Sequence, residues 1–349
     1  MTRALAGGVF VTASGTDELA ELRQLAEDIG ARSFDERIGR RGLPDDFDTA
    51  AWGHLQDAGL TRLTSDPESG GGPTESAVVL RALARHAVTV PLAETDLLAA
   101  WLAVKAGLEV PDDGPLTIAI GQTGTTTVSG VPYAGSADAV VVALRDGAAL
   151  AVAVTEPTIT KTGHTLGGEP RDTIAVPADG FVTIDGAAEE LMRRGAWLRC
   201  IQALGALDAA VEYSVAHTRD RVQFGRPLSA FQAVQHTLAS MAGEMERARA
   251  ATELAVAAVT VHGFDSAQAD YAVTVAKVVL GRVVPSVITA AHQLHGAIGV
   301  TLEHRLWLAT MRARSWIDEF GDTAWYARKL GRMALTSGSD PWDFVVGAV

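Results

Sequence analysis

The feature that most constrains this chain is a long C-terminal stretch where apolar residues recur every three or four positions. Trp197, Ile201, Leu204, Leu207, Val211 and Val215 form one series. Phe231, Val234, Leu238, Met241 and Met245 form a second, and Val275, Val279, Val283, Val287, Ala290 and Leu294 a third. Each spacing draws one apolar stripe along an α-helix. Three such helices of about 20 residues pack naturally as an up-down bundle.

Upstream the period changes. Residues 115–186 predict short strands at Leu116–Ile120, Ala139–Leu144, Ala149–Val154 and Phe181–Ile184, separated by Gly, Ser, Thr and Asp. Residues 17–110 return to helical texture, as in Ala77–His86 and Thr95–Lys105, with breaks at Gly42–Pro44, Gly70–Pro73 and Pro91. Segregated strands and helices point to an α+β fold rather than a doubly wound sheet. The expected division is an N-terminal helical domain over 1–112, a small β-barrel or sandwich over 113–186 and a four-helix bundle over 187–349.

Composition narrows the function classes. Hydrophobic residues make up 48% and charged residues 20%, which suits a folded globular chain. A net charge of -13 disfavours nucleic-acid binding but leaves room for a local arginine site for an anion. The single cysteine, Cys200, forbids an internal disulfide and predicts a reducing, cytoplasmic location. No Cys/His grouping predicts a metal. Met1–Ala13 lacks the pattern of a signal peptide, and no apolar run reaches the ~18 residues that span a membrane.

Two motifs punctuate the helices. Arg221-Val222-Gln223-Phe224-Gly225-Arg226-Pro227-Leu228, followed by Phe231-Gln232, connects the first two. Gln293-Leu294-His295-Gly296-Ala297-Ile298-Gly299-Val300-Thr301-Leu302-Glu303-His304 follows the third. An arginine in a helix-connecting loop offers a planar fork of donors suited to a diphosphate. A glutamine followed by glycine-rich backbone lets main-chain N–H groups approach phosphates closely. His292, His295 and His304 cluster near this loop, and the missing carboxylate partners favour a structural role over a metal site.

In order and spacing these motifs resemble the Arg-x-x-Phe-Gly…Gln and Gln-x-x-Gly-Gly-x-Gly segments of acyl-CoA dehydrogenases. Arg312 and Phe320-Gly321-Asp322-Thr323 follow at that family's spacing. The resemblance spans the whole helix–β–helix order and is strongest over 197–331. It implies an acyl-CoA dehydrogenase-like fold, an acyl-CoA substrate, electron-transfer flavoprotein as acceptor and FAD as cofactor. It further implies that Arg221, Phe224, Gln232, Gln293, Gly296, Ala297 and Thr323 contact the FAD, whose flavin sits in a neighbouring subunit.

The chain also departs from the pattern. The family's base is a Glu in a Tyr-Glu-Gly-Thr segment, and Gly321 stands there; Asp322 is one residue later. In some members the Glu lies on the helix before Arg-x-x-Phe-Gly, which maps to Gly195, with Glu189 and Glu190 one or two turns earlier. The flavin-facing Thr-Glu-Pro-x-Ala-Gly-Ser-Asp strand is replaced by Ala119-Ile120-Gly121-Gln122-Thr123-Gly124. Thr155-Glu156-Pro157 echoes it out of place, and Ala297 replaces a glycine. Retained arms with lost bases resemble the smaller subunits of heteromeric α2β2 acyl-CoA dehydrogenases of bacterial steroid degradation. The expectation is an accessory subunit beside a longer homologue that keeps the Glu, acting on a bulky acyl-CoA. The alternatives are a homo-oligomeric enzyme using Asp322, Glu319 or another carboxylate, a flavin-dependent monooxygenase on the same fold, and a cofactor-free pseudoenzyme.

Overall fold

The three periodic stripes fold as three antiparallel helices, longer than their spacing predicted. They are α5 (Ala187–Asp220), α6 (Gln232–His262) and α7 (Ala267–His295). The computed structural model describes residues 16–37, 43–301, 304–338, 340, 342 and 344. Met1–Ala13, Gly42 and the motif residues Leu302 and Glu303 therefore lie outside the described residues. Glu189 and Glu190 open α5, and Arg219 closes it, each sign placed to suit the helix dipole. The hydroxyl of Ser266 accepts the Ala269 N–H and starts α7.

The third stripe is met in part. Val283 and Val287 are buried as expected and Val275 and Val279 are half-buried, while Val273, Ala276, Leu280, Val284 and Ala291, outside the series, are buried as well. The reason is that α7 is covered on several sides, by α5, α6, α8 (Arg305–Asp318) and α9 (Thr323–Thr336). The segment Ala267–Val300 is, by length and composition, apolar enough to cross a membrane, which corrects the expectation above. With 56% of its most apolar 18-residue window buried and Lys277 wholly inside, core packing accounts for its apolarity.

The β unit is two small stacked sheets. One runs β1 (Leu116–Gln122), β3 (Ala139–Asp146), β4 (Ala149–Thr155), β7 (Val182–Ile184). The other runs β2 (Thr127–Pro132), β6 (Arg171–Ala175), β5 (Ile159–Lys161). The β1–β3 pair is parallel, and the chain between them passes through β2 rather than a helix. The two-residue period divides the strands' side chains. Ala119, Val140, Val142 and Leu144 fill the space between the sheets, while Ile118, Val141 and Ala143 join the helical core. Strands β2, β5 and β6 escaped the sequence reading; β2 carries Gly130 and Pro132 and breaks register between Val128 and Val131.

The N-terminal helices are α1 (Thr16–Arg37), α2 (Thr49–Asp57), α3 (Pro73–Arg85) and α4 (Trp101–Ala106), the last preceded by a π-helical segment, Glu94–Ala100. All seven residues of that segment are buried, three consecutive polar ones included. Each of the three is satisfied: Glu94 by Arg199, Thr95 by the Leu116 backbone, and Asp96 by Thr64 and Ser65. Buried polar groups without such partners would each cost about 1–3 kcal/mol, so this widened helix depends on its contacts with α5, β1 and the 64–65 loop.

Candidate functional site

The loop between α8 and α9 carries the residues from which a base was expected. Lys277, buried in α7, donates to the carbonyls of Ile317 at 2.6 Å and Glu319 at 2.8 Å and so closes α8. Phe320 and Gly321 then both take positive φ, 56° and 105°. A side chain at Gly321 would be strained there and would press on Tyr326. Asp322 is the N-cap of α9; its Oδ1 accepts the Trp325 N–H at 2.7 Å.

Glu319 is held by two arginines. Arg171 of β6 donates from Nη2 at 2.8 Å, and Arg199 of α5 from Nε at 2.7 Å. Arg199 also meets Glu94 at 2.6 Å, with both side chains buried. Burial by itself would raise the Glu319 pKa, but the two guanidinium groups outweigh it and hold the carboxyl at about 2. A base tuned that far below neutrality is poorly matched to abstracting a carbon-bound proton.

The helical alternative is closed as well. A Cβ on Gly195 would fall on the ring of Phe320. Glu190 is paired with Lys105 at 2.7 Å and Arg194 at 3.0 Å, and Glu189 is exposed in the first turn of α5. Phe320 thus separates two cavities. The larger, about 740 Å³, combines Trp325, Tyr326 and Phe320 with Arg145, Arg193, Arg328, Lys329 and Arg332. The smaller, about 480 Å³, lies between the sheets and the helices, with Ile118, Ile120, Val128 and Val131 opposite Arg171, Arg199 and Glu319.

The predicted cofactor residues gather elsewhere. Because α5, α6 and α7 alternate in direction, the end of α5, the start of α6 and the end of α7 share one end of the bundle; His217 and His295 touch across it. Arg221 caps α5, and a hairpin, β8 (Val222–Gln223) and β9 (Arg226–Pro227), carries Phe224 at its tip. Phe224 is 93% exposed. Gln232, the first residue of α6, and Gln293, Gly296 and Ala297 at the end of α7 are all exposed. Gly296 has φ 67° and open space where a Cβ would stand. Thr323 lies apart: it packs on Gly281 of α7, fifteen residues before Gly296 and on the order of 20 Å along the helix.

FAD fits this end of the bundle at its diphosphate. An exposed guanidinium, an exposed amide and an open glycine backbone are the donor set that such a group needs. The flavin-facing strand offers less. Gly121 packs against Val128 and Leu144 inside the β unit, and the cavity between the sheets and the helices is lined from β1 by Ile118 and Ile120, not by Gln122, Thr123 or Gly124. The sequence reading had no signal for Arg171, Arg199 or Glu94, which are isolated charges from three distant segments.

Comparison with known proteins agrees with this geometry. Residues 186–322 match the family model described as "Acyl-CoA dehydrogenase, C-terminal domain". Acyl-CoA dehydrogenase IpdE2 of Mycolicibacterium smegmatis is 28% identical over 295 residues, 81% of this chain and 88% of that protein. The ChsE4-ChsE5 complex from Mycobacterium tuberculosis contains a chain of similar fold, with TM-score 0.78 and 22% identity, covering 95% of this chain and all of that one. The Tcur3481-Tcur3483 steroid ACAD gives TM-score 0.81 and 23% identity over 93% and 99% of the two chains. Residues 186–322 thus match an acyl-CoA dehydrogenase C-terminal domain, and over most of its length the chain is similar in sequence and fold to that family of FAD-dependent oxidoreductases.

Proposed function

We propose that this chain is the accessory subunit of a heteromeric acyl-CoA dehydrogenase, joined to a longer homologue that supplies the catalytic Glu. One observation carries the reading: the two positions where the family keeps its base are Gly321 and Gly195, and the carboxylates beside them are committed elsewhere. Glu319 is clamped by Arg171 and Arg199, and Asp322 caps α9. That weighs against a homo-oligomer using either residue as base.

The bound FAD supplies the hydride acceptor for α,β-dehydrogenation of the thioester. This chain's part is to hold it. The Arg221 guanidinium opposes the diphosphate charge, the Gln293 amide donates beside it, and Gly296 and Ala297 let backbone N–H groups come close. Phe224 supports a partner at this end. Burying a Phe side chain is worth about 1.5–3 kcal/mol, and here that gain is unused in the single chain. A bulky acyl-CoA, with a steroid side-chain thioester as the leading case, is the substrate class; one structural relative is described as a steroid ACAD. Electron-transfer flavoprotein is the proposed acceptor and the cytoplasm the proposed location.

The experiment is co-expression with a longer homologue that retains the Glu. A yellow complex that turns over acyl-CoA, and loses turnover when the partner's Glu is made Gln, supports the proposal. A complex whose activity survives that change contradicts it.

A further inference from the structure

Three imidazoles crowd the arm end of the bundle. His217, in the last turn of α5, stacks on His295, in the last turn of α7, with ring centroids 4.4 Å apart and planes 22° from parallel. His304, the N-cap of α8, stands edge-on to both, 4.9 Å from His295 and 6.5 Å from His217. Their hydrogen bonds assign the protons. His295 Nδ1 lies 2.8 Å from the Ala291 carbonyl, which can only accept, so Nδ1 carries the hydrogen. The Tyr213 backbone is a second partner of this buried ring. His304 Nδ1 accepts the Leu306 N–H at 3.1 Å, which leaves the hydrogen on Nε2.

Beside the cluster is a cavity of about 400 Å³, lined by Tyr213, His217, Asp220, Arg221, His304 and Arg305. The charged and titratable groups around it come from four helices. Asp220 and Arg221 belong to the end of α5, His292 to α7 and Arg305 to α8, and Asp35 of α1 sits 3.4 Å from Arg305. Burial first, and then the neighbouring imidazoles and arginines, lower the pKa of His217 and His304 below the usual histidine value. The cluster is therefore neutral near neutral pH, and among the described residues two arginines face it, offset by Asp220 and Asp35.

We propose that this cavity is a proton-coupled anion site, in which Arg221 and Arg305 hold a diphosphate diester while His217 and His304 take up a proton from solvent. The inference rests on the FAD-arm reading and extends it to three residues outside the arm motif. No bond of the ligand changes; a proton moves from water to an imidazole as the anion arrives. An anion beside an imidazole favours its charged form, so binding and protonation strengthen one another. Affinity then rises as pH falls, by up to about ten-fold per pH unit for each proton taken up.

The test uses the full chain and ADP-ribose, a diphosphate diester whose phosphates do not titrate near neutrality. Calorimetry at about pH 7.5 and about pH 5.5, a window that brackets the usual histidine range, in buffers of differing ionisation heat, reads affinity and proton uptake together. The expected result is binding at least about ten-fold tighter at the lower pH, with net proton uptake. The double variant His217→Gln/His304→Asn, in which Asn preserves the helix cap, is expected to keep the affinity seen at the higher pH and lose the pH dependence. Arg221→Ala is expected to weaken binding at both. An unchanged pH dependence in the double variant overturns the proposal, as does pH-independent binding by the unmodified chain, which leaves the arm reading intact. Absence of binding at both pH values overturns the site, and FAD retention in the Arg221→Ala complex then judges the arm reading separately.

Discussion

The ring of Phe320 occupies the space that a side chain on Gly195 would need. One family position for a catalytic carboxylate is thus glycine, and the residue next to the other, Gly321, fills the room in front of it. Gly195→Ala is expected to force the ring aside and destabilise the chain by about 1–3 kcal/mol, the usual penalty for overpacking a core. Thermal unfolding reads this directly; an unchanged melting temperature would mean that the ring moves freely and the position is open.

Much of this arrangement was legible in the sequence, for reasons that differ from element to element. The bundle followed from the period of Trp197 to Val215 and of Phe231 to Met245, because one face of each helix must be buried. The arm followed from Arg221 to Gly225 and Gln293 to Gly299, where side-chain chemistry and glycine backbone are both local. The Arg171–Glu319–Arg199–Glu94 network was not legible, since it joins β6, the α8–α9 loop, α5 and the π-helical segment, and no local pattern marks a long-range ion pair. The stripe on α7 was legible only in part, at Val283 and Val287, because a helix covered on several sides has no single face for periodicity to find. Thr323 was named from its place after Gly321; in the fold it packs on Gly281, apart from the other named residues.

The Glu319 clamp sets an acid limit. Its carboxyl titrates at about 2 in the fold, below the ordinary 4.5. A depressed carboxylate stabilises the fold above its unfolded pKa, and that stabilisation fades as pH drops from about 4.5 towards 2. The shift corresponds to an order of 3 kcal/mol. Glu319→Gln is expected to cost about 3–5 kcal/mol at neutral pH by removing the carboxylate that the buried Arg171 and Arg199 share, and to flatten the acid limb. Urea titrations across that pH range check both; a variant with native stability and an unaltered acid limb contradicts the clamp.

Lys277 fixes the loop that presents Phe320. Lys277→Met keeps most of the apolar stem and removes the ammonium that donates to Ile317 and Glu319. Each orphaned buried carbonyl costs about 1–3 kcal/mol. Hydrogen exchange should accelerate across 317–322 more than in α6. Uniform acceleration over the whole chain would point to global destabilisation instead.

Arg221→Ala, in the complex with the longer homologue, removes a charge-assisted hydrogen bond of about 1.5–3 kcal/mol. FAD retention should fall roughly ten- to a hundred-fold, at about 1.4 kcal/mol per factor of ten. Flavin fluorescence after gel filtration measures it; full occupancy in the variant removes Arg221 from the cofactor site.

The central claim is that this chain grips the cofactor and leaves proton abstraction to another subunit. General-base catalysis commonly contributes about 10²- to 10⁴-fold in rate, so a site without its base falls close to background. The most direct measurement is turnover by the isolated chain, supplied with FAD, against linear, branched and steroid acyl-CoA thioesters with an artificial electron acceptor. The account predicts no dehydrogenation above background from the chain alone. Robust turnover by the lone chain that disappears on Asp322→Asn would contradict it and establish a self-sufficient enzyme.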